Sequence, residues 1–277
     1  MGHPLGSALE LEGPRLGAGR DGLHAHDAAR GARITGPLGL LEGPQGWELT
    51  IGDRIEIDWK KEPLDRFEHA NIKRYNSEGH TQSVIDCLRG LREKHGLRAG
   101  DVRRVDVEVF KQASNITGGG QAGDRTVVRA KEQGDHSIPY LCAVALIDGD
   151  VWPQQFEPER VTRADVQDVL KRVWVRQLEE FNERYPDEMP CRVTVTLNEG
   201  REVTAEATDF PGFWRTRRLD WDAAMEKYTR LAEPMAGAAL AREIADAVRR
   251  LDSIPISNLT ELLGRVGGSA SARRVAS

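Results

Sequence analysis

CRVTVTLNEGREVTAEA, residues 191–207, decides the fold class. Val193, Val195 and Leu197 alternate with Arg192, Thr194 and Thr196, and after Asn198-Glu199-Gly200 the alternation resumes over 201–207. Period two on both sides of a glycine-bearing turn predicts a β-hairpin. Upstream, VRRVDVEVF (102–110) alternates in the same way and 171–178 reads as a further strand. Helices surround these runs. Val84, Ile85, Leu88 and Leu91 recur at helical spacing from about His80 to a stop at Gly96. DHSIPYLCAVALIDG (135–149) predicts a helix that is apolar almost all round and therefore buried, with Asp135 as N-cap and Pro139 tolerated in the first turn. Residues 112–134 read as a polar loop. WDAAMEKYTRLAE, GAALAREIADAVRRLD and SNLTELLGRV predict three helices in the final third. Strands and helices do not alternate strictly, so the class is α+β rather than a doubly wound sheet.

The flanks are less regular. Residues 1–21 are rich in Gly, Pro and Arg, 21–33 could form an Ala-rich helix that stops at Thr35-Gly36-Pro37, and 55–59 could form a strand. After Gly267 the chain is small and polar, and no fixed structure is expected there. Of 277 residues 39% are hydrophobic and 30% charged, and the net charge is −5. That composition supports a core and supplies no global basic field for nucleic acid or an anionic membrane. No stretch has the length of a membrane span, and the N-terminus lacks the apolar centre of a secretory signal. A cytoplasmic protein is expected. Cys87, Cys142 and Cys191 are scattered and form no CxxC, so they read as reduced, buried thiols rather than zinc or iron–sulfur ligands. His24 and His26 stand at i,i+2 and would diverge on a helix, so no metal is expected. Gly118-Gly119-Gly120 has no strand-to-helix context and no following Gly-Lys-Ser/Thr, which makes it a flexible loop rather than a phosphate cradle.

Three segments, in order, resemble one family. They are ARITGPLGLLEGPQGW (32–47), KRYNSEGHTQS (73–83) and DHSIPYLCAVALIDGDV (135–151), followed by YP and CRVTVTLNEG within 185–200. Together they resemble the carboxyl-terminal half of MmgE/PrpD proteins, which include 2-methylcitrate dehydratases and cis-aconitate decarboxylases. The resemblance runs from about residue 20 to 264. It implies a large all-helical domain with a smaller α+β lid inserted, the chain returning to the helical domain at its end. On that mapping 1–70 is a stub and remnant of the helical domain, 71–215 the lid with antiparallel strands, 216–266 the returning helices and 267–277 a tail. Family chains are about twice this length, and the other half supplies most of the helical domain and several active-site groups. The chain is thus expected to be half of a split enzyme, a truncated form or a degenerate product. Partners implied are a homodimer or a complementary subunit carrying the N-terminal half.

The resemblance also nominates residues. Lys73 falls where the family has a lysine in the substrate cleft; a di- or tricarboxylate substrate needs fixed positive charge, and a desolvated lysine can carry a proton. By residue type alone Lys73 reads as a solvated surface lysine. Arg74 beside it is a candidate substrate cation. His80, at a helix start, could bind an anion or move a proton near neutral pH, or it could simply cap the helix. Glu78 and Gln82 flank it and fit the pattern, with Gln82 a substrate-binding candidate. Tyr140 falls where the family has a pocket tyrosine, and its hydroxyl could bind a substrate carboxylate or sit satisfied in the core. His136, four residues earlier on the predicted helix, should share its face, and Lys73 and Tyr140 are expected to face one cleft. A family lysine expected upstream has no clear counterpart, Arg15 being only a loose one. FWRTRRLDW (213–221) could bind an anion but reads better as a solvated junction. The expected reaction is a 2-methylcitrate-type dehydration: a base removes a proton alpha to a carboxylate and an acid protonates the leaving hydroxyl, with no cofactor. Decarboxylation of cis-aconitate, isomerisation of a related acid, and a non-catalytic subunit are the alternatives.

Overall fold

The computed structural model describes Asp58 and residues 60–63, 65–120 and 123–266. The chain divides into two compact units, 1–64 and 65–277, and the second holds the sheet and its helices. The expected helix at 21–33, the expected strand at 55–59 apart from Asp58, the His24/His26 pair, Arg15 and the tail lie outside the described residues.

Four strands form one mixed sheet in the order β2-β1-β3-β4: β1 Val102–Val109, β2 Val173–Gln177, β3 Cys191–Leu197 and β4 Glu202–Ala207. The hairpin read at 191–207 is the antiparallel β3–β4 pair, and β1 joins β3 antiparallel. The antiparallel strands of the expected α+β domain are thus present, and β1 and β2 add a parallel pair that makes the sheet mixed. Parallel neighbours need a long crossover, and residues 110–172 provide one.

The register explains the two faces. Val173, Val105, Val195 and Val203 form one row across the sheet, and Val175, Val107, Val193 and Ala205 form the next. This face is covered by α1 (Gln82–His95) and α2 (Ile138–Asp148), which also pack on each other. Val84, Ile85, Leu88 and Leu91 of α1 are buried as their spacing predicts, and each contributes roughly 1.5–3 kcal/mol by leaving water. α1 ends where expected: Gly96 takes the left-handed conformation (φ 62°), which a side chain would resist. On the opposite face Arg176, Glu108, Arg192 and Glu206 pair in register across all four strands, at 2.5, 3.2 and 2.8 Å. Such pairs contribute about 0.2–1 kcal/mol each and keep that face polar.

α2 is buried from Ile138 to Leu146, but its N-cap is Ser137 and not Asp135. The Ser137 hydroxyl accepts from the Tyr140 N–H at 3.1 Å, whereas Asp135 is occupied by Lys131 and His136. The predicted polar loop at 112–134 holds two short helices, Lys111–Thr117 and Lys131–Gly134. Ala113 and Thr117 of the first are buried, a pattern too short to register as a period.

The final third is helical as expected: α3 Trp221–Ala236, α4 Ala238–Arg249 and α5 Ile256–Gly264. Asp220 caps α3 by accepting from the Ala223 N–H at 2.8 Å. α4 buries Ala241, Ile244, Ala245 and Ala247 against its neighbours, while Val248 and Leu251 stay exposed.

Candidate functional site

The segment 71–82, which leads into α1, is held from several sides. Gly212 (φ 98°) donates its N–H to Arg217 and its carbonyl accepts from the Ile72 N–H at 2.9 Å. A Cβ on Gly212 would lie 1.8 Å from the Ile72 carbonyl oxygen, so only glycine permits this approach. Tyr75 is buried, donating to Asp86 (2.7 Å) and accepting from Arg89 (2.9 Å); burial, then Asp86, push its hydroxyl well above the usual range. Gln82 is fully buried and closes the loop on itself. Its amide accepts from the Tyr75 N–H (3.0 Å) and donates to the Tyr75 carbonyl (3.1 Å) and the Ser77 hydroxyl (2.8 Å).

This loop forms one wall of a groove of about 360 Å³. Lys73, Tyr75–Gly79, Lys131, Asp135, His136, Pro153, Phe156 and Lys227 line it. Lys73 Nζ donates to the Ser77 carbonyl at 2.8 Å. Lys227, on α3, donates to the Lys73 carbonyl, and burial, then the charges of Lys73 and Arg74, lower its pKa. Asp135 holds Lys131 at 2.8 Å and His136 Nδ1 at 2.5 Å, leaving the other imidazole nitrogen for exchange with a ligand. Burial raises the Glu78 carboxyl, but hydrogen bonds and charge from His80, with the charge of His136, outweigh it and hold the group below the usual range. Among the described residues no group of three or more His, Cys, Asp or Glu could hold a metal ion. No described helix is long and apolar enough to cross a membrane.

Of the six residues nominated from sequence, Lys73 and His136 line the groove. The other four are placed differently. Arg74 turns to the Trp152 ring (4.8 Å) and Glu226 (3.4 Å). His80 lies beside the groove, its Nδ1 on Glu78 (2.8 Å) and its ring tilted against the stacked rings of Phe110 and Tyr185. Glu78, rather than His80, caps the turn at Gly79–Thr81. Gln82 shapes the wall from inside. Tyr140 is fully buried behind Phe156 and gives its hydroxyl to the Gln155 carbonyl; burial pushes its pKa up to about 12. The shared cleft expected for Lys73 and Tyr140 is therefore not formed. Nor do His136 and Tyr140 share a helical face, because His136 precedes α2 in a turn. Lys227 and Lys131 were not singled out from sequence, where neither falls in a motif that marks a lysine for chemistry.

By fold and groove the chain is an α+β domain with a cation-lined polar site. Residues 75–253, more than half of it, match the MmgE/PrpD C-terminal domain. The chain belongs to the MmgE/PrpD family. It is similar to a cis-aconitate decarboxylase of Aspergillus terreus, 27% identical over 243 residues, covering 81% of this chain and 49% of that protein. It is also similar to the cis-aconitate decarboxylases of Mus musculus and Homo sapiens. Each is 27% identical over 48% of this chain, covering 27% and 28% of those proteins. The matches thus span about half of these curated relatives or less.

Proposed function

We propose that this chain supplies the lid-side part of a lyase site for a small di- or tricarboxylate. The observation that carries this reading is the groove itself, where Lys73, Lys227 and an Asp135-held His136 converge on a domain of this family. Ammonium groups anchor carboxylates, and an imidazole fixed through one nitrogen can pass a proton through the other. Decarboxylation leaves an electron pair on carbon that must be protonated. Dehydration removes a proton alpha to a carboxylate and protonates the departing hydroxyl. Both need the same anchors and one proton carrier. The relatives' names favour decarboxylation of cis-aconitate as the first reaction to assay, with 2-methylcitrate-type dehydration second.

Exposed Met235, Val248, Leu251, Ile256 and Leu263 on or beside α3–α5 support association, either with a subunit carrying the rest of a helical domain or as a homodimer. Calorimetric titration of the purified chain with tricarballylate, an unreactive tricarboxylate, tests the site. Binding that weakens in Lys73→Met is expected; no binding, or binding indifferent to Lys73, overturns the reading. Cis-aconitate and 2-methylcitrate turnover by the chain combined with a subunit carrying the rest of the helical domain, followed by proton NMR, then separates the two reactions; the chain alone is expected to show little or none.

A further inference from the structure

The groove's charges are unevenly compensated. Asp135 is taken by Lys131 and His136, and Glu78 by His80. Glu226 pairs with Arg74, and Asp150 lies among Arg74, Arg89 and Arg230. Among the described residues, no carboxylate stands within salt-bridge distance of Lys73 or Lys227. Each ammonium spends one donor on a backbone carbonyl, Lys73 on Ser77 and Lys227 on Lys73. An ammonium carries three donors, so each retains two. Two neighbouring cations with no counter-charge among the described residues, one of them half-buried on a helix outside the sheet layer, form an arrangement that an anion would stabilise.

We propose that Lys227, carried into the groove by α3, binds a substrate carboxylate together with Lys73, so that the C-terminal helices form part of the anion site. This rests on the groove being a polycarboxylate site and adds a residue from a different element to it. Lys227 is favoured over Lys131 because Lys131 is already neutralised by Asp135. Arg74 is not the second anchor, since it does not line the groove and its guanidinium faces Trp152 and Glu226 instead.

The test is calorimetric titration of tricarballylate into the full chain, with Lys73→Met, Lys227→Gln and Lys227→Arg beside the wild type. Glutamine keeps an N–H that can reach the Lys73 carbonyl but has no charge; arginine keeps the charge. Lys227→Gln should weaken binding by about tenfold or more, the scale of one charge-assisted contact, while Lys227→Arg stays within about threefold. Thermal melts accompany each variant, and Lys227→Met replaces the Gln variant if that one melts early; it too must lose affinity. Wild-type affinity in Lys227→Gln, or equal losses in the Gln and Arg variants at unchanged melting temperature, overturns the proposal while leaving the groove's role intact. No binding to the wild type overturns both.

Discussion

Glu78 grips His80 twice: one carboxylate oxygen accepts from the His80 backbone N–H at 2.7 Å and the other engages Nδ1 at 2.8 Å. The grip starts the turn that leads into α1 and fixes the rim of the groove. The folded pKa of Glu78 is lowered from the ordinary 4.5, burial being outweighed by the His80 bonds. Its stabilisation is therefore complete above the unfolded value and is lost as pH falls through the lower folded value. Glu78→Gln should cost about 1–2 kcal/mol near pH 7, with the gap to wild type closing as both are acidified. Urea melts across that range check this; a gap that stays constant to about pH 3 contradicts it.

Gly212 should be intolerant of a side chain. Alanine there would meet the Ile72 carbonyl oxygen and would hold a backbone angle that L-residues resist. Gly212→Ala is expected to destabilise by about 1–3 kcal/mol or more and to weaken tricarballylate binding, because Ile72 precedes Lys73. Chemical denaturation and titration together read both effects; an unchanged denaturation midpoint would show that the loop can yield.

The cap of α2 can be assigned by substitution. Ser137→Ala should cost about 1 kcal/mol, while Asp135→Ala, which removes an ion pair with the exposed Lys131, should cost less than that. Equal losses, or the reverse order, would restore Asp135 as the cap.

Two of the three thiols, Cys142 and Cys191, should stay inert in the native protein. Cys142 and Cys191 are fully buried, and burial drives the Cys142 thiol well above its usual range; Cys191 is raised by its neighbour Cys87 and by burial. Titration with a disulfide reagent should find them unreactive until denaturant is added. Rapid modification of Cys142 or Cys191 under native conditions would show that the core opens.

Periodicity carried the sheet and the long helices because each buries one face over many residues, as Val84 to Leu91 and the 191–207 hairpin do. It could not carry the parallel pairing of β1 and β2, which depends on a crossover rather than on either strand. Nor could it separate Ser137 from Asp135 as a cap, since both are good caps two residues apart and only the competing partners of Asp135 decide. Of the groove, Lys73 and His136 were reachable through the family motifs. The orientations of Arg74, Gln82 and Tyr140 were not, because a motif position says nothing about which wall a side chain turns toward. Lys227 lay beyond reach for a different reason: it meets Lys73 across 154 positions, on a helix whose own pattern explains it as solvated.

Trp152 is fully buried, its indole N–H bonded to Asp150 at 2.6 Å, with the guanidiniums of Arg74 and Arg230 at 4.8 and 3.9 Å from its ring. Arg230 belongs to α3, one turn beyond Lys227. One indole therefore senses an arginine of the groove-forming segment and an arginine of the helix laid over it. The difference in emission between the wild type and Trp152→Phe makes a native optical gauge of whether that helix is seated, readable before any ligand is added and free of the signal of the other five tryptophans.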